Sequence, residues 1–542
     1  MIIRALLSCH KPPPYKKTII LIISSLFIQC NVGQYLANNY FTSPDINAGF
    51  YTDISQKAYD LMGSFLTDRV IKIMKISSID FNITYPVNSI QTIQLTSIGL
   101  TNFDDVSFTS KMEVSNIDNQ IKWIGKNFKG TFKIQYKIIS QGGETSGFVP
   151  MTIDGSTFTF MLMTGINGDG HLKTELSKCI ATIEKVNLQF SSTDNDSLKE
   201  TIPIMYKAIR ENIHNILCPT FTEELVPIIS NRLMNTPLSV SLFDHYFINY
   251  GLLGGIKYQE NGTQIGHRGN VFGILRQGRT RLNDFRLPFK AIQLQSPEIL
   301  RNQKMITFTM SNYTLSSLLF WMDQYRKFDF EISKNVINNT QIGGYLRTDC
   351  SNEDICAGTL FPALAEKFPN GIVMIKTHTI ATPTVKIIKK GVSITFDSRV
   401  DAFVEQADKK RRFLTANMFA ELSLQRAHFK DYTLNGQLKI DKTKISNVVS
   451  LVDGITSDSL EFLVNALNEL FIADEMLKKL QSGIKLPIML DFEQKNSEII
   501  YDDDKIVISA NYCFEDNCKN SEDETLSASI DQDANYYDVV ES

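Results

Sequence analysis

Apolar residues recur at steps of three and four positions in several stretches of the chain, a pattern that predicts amphipathic helices. The first helix is predicted from Thr52 to about Lys75, and its apolar stripe is too wide for an ordinary surface helix, so we expect it to lie in a groove or cover an opening. A second is predicted from about Thr201 to Cys218, with Pro203 in its first turn and Pro219 directly after its end. A third is predicted from about Ser457 to Leu480.

Between Asp80 and about Phe190 apolar residues instead alternate with polar ones, which predicts strands with one buried face. Gly142-Gly143, Asp154-Gly155 and Asn167-Gly168 are typical of the turns between such strands. The sequence therefore predicts an antiparallel sheet with one apolar face. Since an apolar helix comes before it and another after it, we expect both helices to pack on that face.

The second half of the chain repeats this plan without an exact sequence repeat. A glycine-rich, strand-like stretch from Leu238 to about Gln277 and a polar linker to about Pro288 precede it. Strand-like Met305 to Met310 then leads into an apolar helix, and a short helix is predicted from Leu360 to Phe368. Alternating strands, the third long helix and a last strand around Ile506 and Ile508 follow.

The first residues have the layout of a secretory signal peptide. Lys16 and Lys17 precede an apolar run from Thr18 to Phe27, and small and polar residues follow near Cys30 to Gly33. We therefore expect residues 1–33 to be removed and the protein to be secreted and extracellular. An uncleaved signal anchor is the alternative, although the run is short for a membrane span.

Six cysteines lie beyond the signal, and six allow fifteen connectivities. The secretory address favours disulfides over a metal site, and the positions favour the pairs Cys179 with Cys218, Cys350 with Cys356, and Cys513 with Cys518. Five asparagines stand in glycosylation sequons, which agrees with this address. They are Asn82, Asn195, Asn261, Asn312 and Asn338.

Charge and motifs argue against several function classes. The net charge of −4 gives no reason to expect a nucleic-acid partner, since such domains are usually strongly basic. The sequence has no histidine pair at metal-binding helical spacing, no Gly-x-Ser-x-Gly motif and no phosphate-binding glycine loop before a helix. We therefore expect no catalytic residues, no metal and no cofactor. Residues 519–542 are acidic and poor in large apolar side chains, so they are predicted to be disordered.

Several short segments, taken in order, resemble one family of secreted lipid-binding glycoproteins. That family includes bactericidal/permeability-increasing protein, lipopolysaccharide-binding protein, phospholipid transfer protein and cholesteryl ester transfer protein. The resemblance covers nearly all of the mature chain, and Cys179 and Cys218 match the family's shared disulfide in placement and approximate spacing. The other matching segments are Gly49-Phe50, Ile54-Ser55-Gln56-Lys57 with Tyr59, residues 248–252, Ser311-Asn312-Tyr313, residues 366–370, and residues 480–483 with Leu486-Pro487.

The resemblance implies an α+β fold shaped like an elongated boomerang. Two pseudo-symmetric halves, each a twisted antiparallel sheet or barrel wrapped round long helices, would be joined by a central antiparallel sheet. The corresponding ranges are a signal peptide at 1–33, an N-terminal lipid-binding barrel at 44–245, a central-sheet segment and linker at 246–290, a C-terminal lipid-binding barrel at 291–515, and the acidic tail at 519–542.

The resemblance also implies one apolar pocket in each half, which takes the acyl chains of a phospholipid. Because each buried methylene contributes about 0.8 kcal/mol, leaving a sixteen-carbon chain in water costs on the order of 12 kcal/mol, and a carrier must enclose it. The leading hypothesis is a secreted, non-catalytic protein that binds phospholipid or related amphiphiles and transfers them at membrane or lipoprotein surfaces. The helix faces predict these lining residues: Ile54, Ala58, Met62, Phe65, Leu66, Ile209, Ile213 and Leu217 for the first pocket, and Leu319, Met322, Val464, Leu467 and Phe471 for the second.

The alternative hypothesis is innate-immune recognition of lipopolysaccharide. The bactericidal members have a strongly cationic first half, whereas here residues 45–245 hold slightly more acidic than basic residues. A lysine stripe remains, with Trp123 and Phe128 among its members, and it would contact anionic headgroups. It comprises Lys122, Lys126, Lys129, Lys133 and Lys137. The competing interpretation of the stripe is a solvated strand edge blunted with lysine, and Lys409 to Arg412 is interpreted as a solvated loop at the opposite tip.

Overall fold

The computed structural model describes residues 47–76, 78–189, 196–243, 245–273, 287–294, 304–333, 340–351, 356–407, 409–471, 483–487, 492–513 and 518. The predicted signal peptide and acidic tail lie outside these residues, as do the sequons at Asn195 and Asn338. Strands make up most of the described chain, and long helices accompany them.

The helices of the described chain are α1 (Gln56–Ile76), α2 (Asp196–Met234), α3 (Asn312–Gln324), α4 (Thr340–Tyr345), α5 (Ala357–Leu360), α6 (Pro362–Lys367) and α7 (Ser457–Phe471). The strands are β1 (Phe50–Ser55), β2 (Ile79–Asn88), β3 (Gln91–Ser115), β4 (Gln120–Ser140), β5 (Gly143–Ile166), β6 (Leu172–Thr182), β7 (Lys185–Leu188), β8 (Ser239–Phe243), β9 (Tyr246–Asn249), β10 (Lys257–Gln259), β11 (Gly262–His267), β12 (Val271–Gly273), β13 (Ile306–Ser311), β14 (Phe330–Ile332), β15 (Ile372–Thr379), β16 (Thr384–Ile388), β17 (Gly391–Gln406), β18 (Lys409–Lys430), β19 (Thr433–Ser450), β20 (Ile484–Lys485), β21 (Glu493–Asp502) and β22 (Lys505–Cys513).

The N-terminal half is an antiparallel sheet in the order β2-β3-β4-β5-β6, with β7 paired to β5. Helices α1 and α2 pack on its apolar face and share one core with it. In β4 the buried side changes from odd to even positions between Trp123 and Phe128, because a bulge with Asn127 at φ 56° inserts there. The glycine at position 125 is required by packing, since a Cβ there would stand 2.1 Å from the Phe158 ring.

Several predicted helix boundaries are wrong, including the start of α2, which lies at Asp196 rather than at Thr201. Residues Thr52 to Ser55 belong to β1, so Ile54 lies on a strand and α1 starts only at Gln56. Local periodicity missed this because β1 is held by strands that lie more than two hundred residues away in the chain. The second helix runs on through Pro219 and Pro227 to Met234, so proline does not end it.

A central six-stranded sheet in the order β10-β11-β1-β13-β22-β21 joins the halves, and β12-β9-β8 forms a small sheet beside it. All pairings are antiparallel. The central strands come from the beginning, the middle and the end of the described chain, and residues such as Phe50, Ile506 and Ile508 are fully buried in it. This sheet therefore draws on more of the sequence than residues 246–290, while the domain bounds remain a prediction.

The C-terminal half is an antiparallel sheet in the order β14-β15-β17-β18-β19-β20, with β16 paired to β17. It has two cores. The first, which we call the proximal core, joins α3 to the central sheet and includes Phe308, Leu319 and Ile508. The second, the distal core, lies at the other end of the sheet under α5 and α6 and includes Leu364 and Phe413. The predicted fold class is thus confirmed as α+β, with two halves joined by a central antiparallel sheet.

The three cysteine pairings predicted from the sequence are confirmed. Cys179 on β6 is bonded to Cys218 on α2, which ties the long helix to the N-terminal sheet. The other two bridges, Cys350–Cys356 and Cys513–Cys518, close short loops with sequence separations of 6 and 5.

Candidate functional site

An apolar cavity of about 90 Å³ lies in the proximal core, between the C-terminal sheet, helix α3 and the central sheet. Its walls contain one polar side chain, that of Asn435, among the residues that the structure describes. The lining residues are Leu242, Phe243, Met310, Leu315, Leu318, Leu319, Val385, Val392, Ile394, Leu424, Leu434, Asn435, Gly436, Leu438, Gly483, Ile484 and Ile506.

The periodicities of the elements explain why these side chains meet. Leu315, Leu318 and Leu319 are spaced by three and four positions, so they share one face of α3. Val392 and Ile394 on β17 alternate inward in the same way that strand residues line any sheet face. The central sheet contributes Met310 and Ile506, which are direct cross-strand partners. Among the described residues of this wall, the side chains offer apolar contact and one amide, that of Asn435.

One side of the cavity is polar and tightly built around glycine. Gly483, directly before β20, has φ +80°, and a Cβ on it would stand 2.3 Å from Asn435 Oδ1. A Cβ on Gly436 would stand 2.6 Å from Leu424 Cδ1. Both glycines therefore keep backbone and lining side chains at close range. The Asn435 amide is the polar side-chain group of the described wall, and its Nδ2 donates to the Thr433 carbonyl at 3.3 Å.

The cavity is small compared with pockets for drug-sized ligands, which usually enclose about 300–1,000 Å³. Its walls are mainly Leu, Ile, Val and Met, whose rotamers can change without breaking hydrogen bonds. A ligand the size of an acyl chain would have to displace several of these side chains. The cavity would therefore have to widen before it could hold an acyl chain.

The residues predicted for the second pocket do not lie together in the structure. Leu319 lines the cavity, and Met322 is 2% exposed in the same core but is not part of the wall. Val464 packs against the distal core instead, and the side chains of Leu467 and Phe471 lie outside the described residues. The wall comes from α3 and from strands, so Met310, Val392 and Ile394 were missed. For Val392 and Ile394, the available signal was the alternation of apolar and polar residues around Val392.

Of the residues predicted for the first pocket, Ile54, Ala58 and Ile209 are buried in the N-terminal core. Met62 and Leu66 are half-buried on α1, and Met62 contacts the proximal core as well. Phe65 meets Phe492 edge to face at a ring distance of 5.9 Å. Helix α1 thus bridges the N-terminal core and the central sheet. The side chains of Ile213 and Leu217 lie outside the described residues.

The lysine stripe lies on the outer face of β4, opposite the aromatic core. Lys122 is 2.6 Å from Asp118, whose pKa its hydrogen bond lowers, and Lys137 is 2.6 Å from Glu144. Lys133 stands 5.4 Å from the centre of the Phe148 ring, while Lys126 and Lys129 are exposed. Because β4 pairs with β3 on one side and β5 on the other, the stripe does not protect a sheet edge, and that interpretation is wrong.

The asparagines of the described glycosylation sequons differ in exposure. Asn82 and Asn261 are exposed, whereas the side-chain nitrogen of Asn312, where a glycan would attach, donates to Asp504 Oδ1 at 2.9 Å. Glu493, Cys513 and Cys518 lie within metal-binding distance of one another, but the two sulfurs are joined in a disulfide and do not fit a metal. Within the described ranges, none of the helices is long and apolar enough to cross a membrane.

Comparison with known structures identifies the fold first. The crystal structure of lipopolysaccharide binding protein superposes with a TM-score of 0.59 at 15% identity, covering 87% of this chain and 100% of that one. The chain therefore has the same two-part fold of curled sheets.

Sequence comparison then identifies the family. The pattern described as "LBP / BPI / CETP family, C-terminal domain" matches residues 221–514, and the chain belongs to this family. It is 22% identical over 197 residues to the human BPI fold-containing family C protein, a match that covers 36% of this chain and 37% of that protein. It is 17% identical over 350 residues to mouse phospholipid transfer protein, covering 63% and 66% of the two chains. The matches thus span less than two thirds of either relative.

Proposed function

We propose that this protein is a secreted lipid-binding and lipid-transfer protein that encloses phospholipid acyl chains in apolar pockets and performs no chemistry on them. The observation that carries the proposal is the cavity between α3, the C-terminal sheet and the central sheet, whose wall is apolar except for Asn435. Membership of the LBP / BPI / CETP family supports it, as does the similarity to a phospholipid transfer protein.

Burial of methylene groups supplies the binding free energy. Each enclosed methylene contributes about 0.8 kcal/mol, so a chain need only displace wall side chains at a smaller cost to be held firmly. Leu, Ile and Met side chains suit acyl chains of mixed length because they repack without losing polar contacts. The Asn435 amide would face the more polar end of the ligand. In the N-terminal half, the wide apolar face of α1, with Ala58, Met62, Phe65 and Leu66, is the proposed counterpart.

The three disulfides support the extracellular part of this proposal, since such bonds persist in oxidising compartments. The exposed sequons at Asn82 and Asn261 and the signal-like residues 1–33 agree with it. The proposed partners are phospholipid or a related amphiphile and, transiently, a membrane or lipoprotein surface.

The test is native mass spectrometry of the full-length secreted protein, followed by organic extraction and identification of the released molecules. We expect phospholipid to co-purify. A protein that is empty, and stays empty after incubation with phosphatidylcholine vesicles, would contradict the proposal.

Two variants test whether the bound lipid occupies the cavity. Val385→Trp adds an indole to the cavity wall from half-buried β16, and we expect it to lower the bound lipid at least several-fold. Val448→Trp makes the same change at a half-buried position of the distal core, away from both proposed pockets, and is the matched control. Equal lipid content in both variants would show that the lipid is bound elsewhere.

The lysine stripe favours a second candidate function, recognition of lipopolysaccharide. Lys126 and Lys129 are exposed and make no ion pair with the side chains described here, on a strand internal to its sheet. We expect Lys126→Glu with Lys129→Glu to abolish salt-sensitive binding to lipopolysaccharide vesicles, because exposed charges are screened within about 10 Å at 0.1 M salt. Lys439→Glu with Lys444→Glu on β19 makes the same charge change in the other half. If the first variant binds as the unmodified protein does, the stripe is not a recognition site.

A further inference from the structure

The outer face of the N-terminal sheet exposes the aromatic ring of Phe148 on β5, a residue that is 59% exposed. Val149, the next residue of the strand, is buried in the core beneath the sheet, so Phe148 projects from the opposite side. The Lys133 ammonium stands 5.4 Å from the centre of the ring and contacts it from one side. The remaining ring surface is available to a ligand that can stack on it.

Amide and hydroxyl groups, rather than apolar side chains, extend from this ring across the sheet. Gln135 on β4 is the direct cross-strand partner of Phe148, and Ser97 on β3 is the partner of Gln135. Ser97 Oγ donates a hydrogen bond to Gln135 Oε1 at 3.0 Å, so the Gln135 amide nitrogen keeps its N–H groups for other partners. Gln94 lies on the same face of β3, because its neighbour Leu95 is buried in the core. The outer face therefore offers hydrogen-bonding groups beside an aromatic ring.

A glycosylation sequon lies at the other end of this row of polar groups. Asn82, in Asn82-Ile83-Thr84, is exposed on the edge strand β2, while its neighbours Phe81 and Ile83 pack against the core. Asn82 therefore points to the same outer face as Gln94. The Gln94 amide nitrogen donates to Asn82 Oδ1 at 2.6 Å, which holds the asparagine by its oxygen and leaves Nδ2, the atom that carries a glycan, available for modification.

The distance from Asn82 to Phe148 suits the core of an N-linked glycan. Strands β3 and β4 lie between β2 and β5, and at about 4.8 Å per strand spacing the separation is roughly 14 Å. The offset along the strands is small, since Asp80, two residues before Asn82, is the partner of Ser97 and lies in the row of Phe148. The two N-acetylglucosamine units and the first mannose of such a glycan span a distance of this size.

We propose that Asn82 carries an N-linked glycan whose core lies across the outer face of the N-terminal sheet and stacks on Phe148. A pyranose ring has C–H groups on one side, which pack against an aromatic ring, while its hydroxyl and N-acetyl groups form hydrogen bonds with amide side chains. Phe148 supplies the ring, and Gln94 and Gln135 supply the amides. This contact rests on the proposed function, which places the protein in the secretory pathway where N-glycans are added, but it does not involve the lipid cavity.

Other occupants fit this face less well. A stable protein partner buries about 800 Å² on each side around an apolar centre, whereas here a single ring stands among amides. An acyl chain would cover the amides of Gln94 and Gln135 without forming hydrogen bonds, which is costly. Of the neighbouring cations, Lys137 is 2.6 Å from Glu144, and Lys133 remains beside the ring, where it can donate to a sugar hydroxyl. A saccharide matches the ring, the amides and this lysine together.

A glycan held in this way would also protect the edge of the sheet. Among the described strands, β2 pairs only with β3, and an open strand edge invites pairing with other chains. A glycan on Asn82 would add hydrated bulk beside that edge and would cover the exposed Phe148 ring. The modification would therefore shield two surfaces that favour self-association.

The test uses the full-length secreted protein. Glycopeptide mass spectrometry measures the occupancy of Asn82, and digestion of the native protein with peptide N-glycosidase F measures how fast its glycan is released. We expect Asn82 to be occupied. Phe148→Ala should speed the release about two-fold, because the ring is roughly 14 Å from the cleaved bond and acts on it only through the glycan.

Matched variants separate this contact from the general loss of an exposed ring. Phe330→Ala removes the ring of a residue that is 45% exposed on β14 in the other half, and we expect it to leave the release at Asn82 unchanged. Phe148→Tyr keeps a ring at the same position and should release the glycan at the rate of the unmodified protein. Gln135→Ala removes an amide beneath the glycan core and should speed the release by a smaller factor than Phe148→Ala.

Three results would overturn the proposal: an unmodified Asn82 in the secreted protein, a release rate that Phe148→Ala does not change, or an equal change in Phe330→Ala. Binding of added chitotriose to the glycosylated protein, with loss of that binding in Phe148→Ala, would overturn it as well. The ring would then be open to external saccharides instead of being covered by the glycan of the same chain.

Lipid extracted from the same preparations keeps the glycan contact and the carrier function distinct. Normal lipid content in a protein with an unmodified Asn82 would overturn the glycan contact and leave the proposed function in place. A protein that is empty of lipid but releases its Asn82 glycan faster after Phe148→Ala would contradict the carrier function alone.

Discussion

The two halves of the molecule fill the space beneath their sheets with different side chains. In the N-terminal half, aromatic rings stack on one another: Trp123 lies 5.2 Å from Phe158 and 5.5 Å from Phe160 between ring centres. In the C-terminal half, the corresponding space beside the central sheet is walled by Leu, Ile, Val and Met and contains the cavity. A similar plan therefore places an aromatic cluster under one sheet and an aliphatic wall around the described cavity in the other half.

The largest expected loss of stability comes from a substitution in the aromatic core of the N-terminal half. Phe158→Ala should destabilise the N-terminal half by about 3–5 kcal/mol, because it removes a ring that contacts Trp123, Phe108 and Phe160. The protein has two tryptophans, one in each half, so Trp123 fluorescence in a Trp321→Phe background follows this half during urea unfolding. Phe148→Ala on the same strand, where the ring is 59% exposed, should change the free energy of unfolding by less than about 0.5 kcal/mol. Equal changes in the free energy of unfolding for the two variants would mean that the buried Phe158 ring does not stabilise the core.

The disulfides sharpen the comparison, because one closes a long loop in the N-terminal half and another a short loop in the C-terminal half. In the chain-entropy model, replacing Cys179 and Cys218 by serine, with a separation of 39, should cost about 4 kcal/mol. Replacing Cys350 and Cys356, with a separation of 6, should cost about 2 kcal/mol. Urea unfolding followed by Trp123 for the first variant and by Trp321 for the second measures both. The reverse order would show that native contacts, not loop length, set the cost.

A pH titration tests the sheet that both halves share. His267 is buried in β11, where its Nδ1–H donates to the Tyr250 carbonyl at 2.8 Å, so Nε2 accepts from Thr52 Oγ1 at 3.0 Å. Burial lowers the pKa of His267 from 6.5 to about 4. The unfolded chain then binds this proton more readily than the folded one, so stability should fall as pH falls from about 6.5 towards 4, by up to about 3 kcal/mol.

The His267→Gln variant is the control for this titration, because glutamine can keep a hydrogen bond but does not titrate. It should show a shallower loss of stability between pH 6.5 and 4 in the same urea experiment. A slope equal to that of the unmodified protein would assign the acid sensitivity to carboxylates instead.

Local pattern predicted the elements well where neighbours in sequence are neighbours in space. The alternation from Asp80 onward gave the strands of the N-terminal sheet, and the close cysteine pairs gave the two short bridges. The predicted start of α1 was wrong because Ile54 also suits a helix. Only its pairing with Thr263 and Ile306 places it on a strand. The predicted end of α2 was wrong because packing and the Cys179–Cys218 bridge hold the helix together through Pro219.

The candidate site was predicted only in part, for a related reason. Leu319 follows from a helix face, but a cavity wall is a property of several elements together. Val392 was recognised as a strand residue, yet nothing local shows that it faces Met310 and Ile506 across a void. Burial alone does not separate the two roles: Leu319 and Met322 are 3% and 2% exposed, and one lines the cavity while the other does not.

The order of strands in the central sheet also determines when the protein can be completed during synthesis. Strand β13 pairs on one side with β1, which is made early, and on the other with β22, which is the last described strand. Until the ribosome has released β22, one edge of β13 carries unpaired amide and carbonyl groups next to Phe308 and Met310, and such an edge invites pairing with other chains. We therefore expect the nascent chain to need shielding along that edge until β22 has been made.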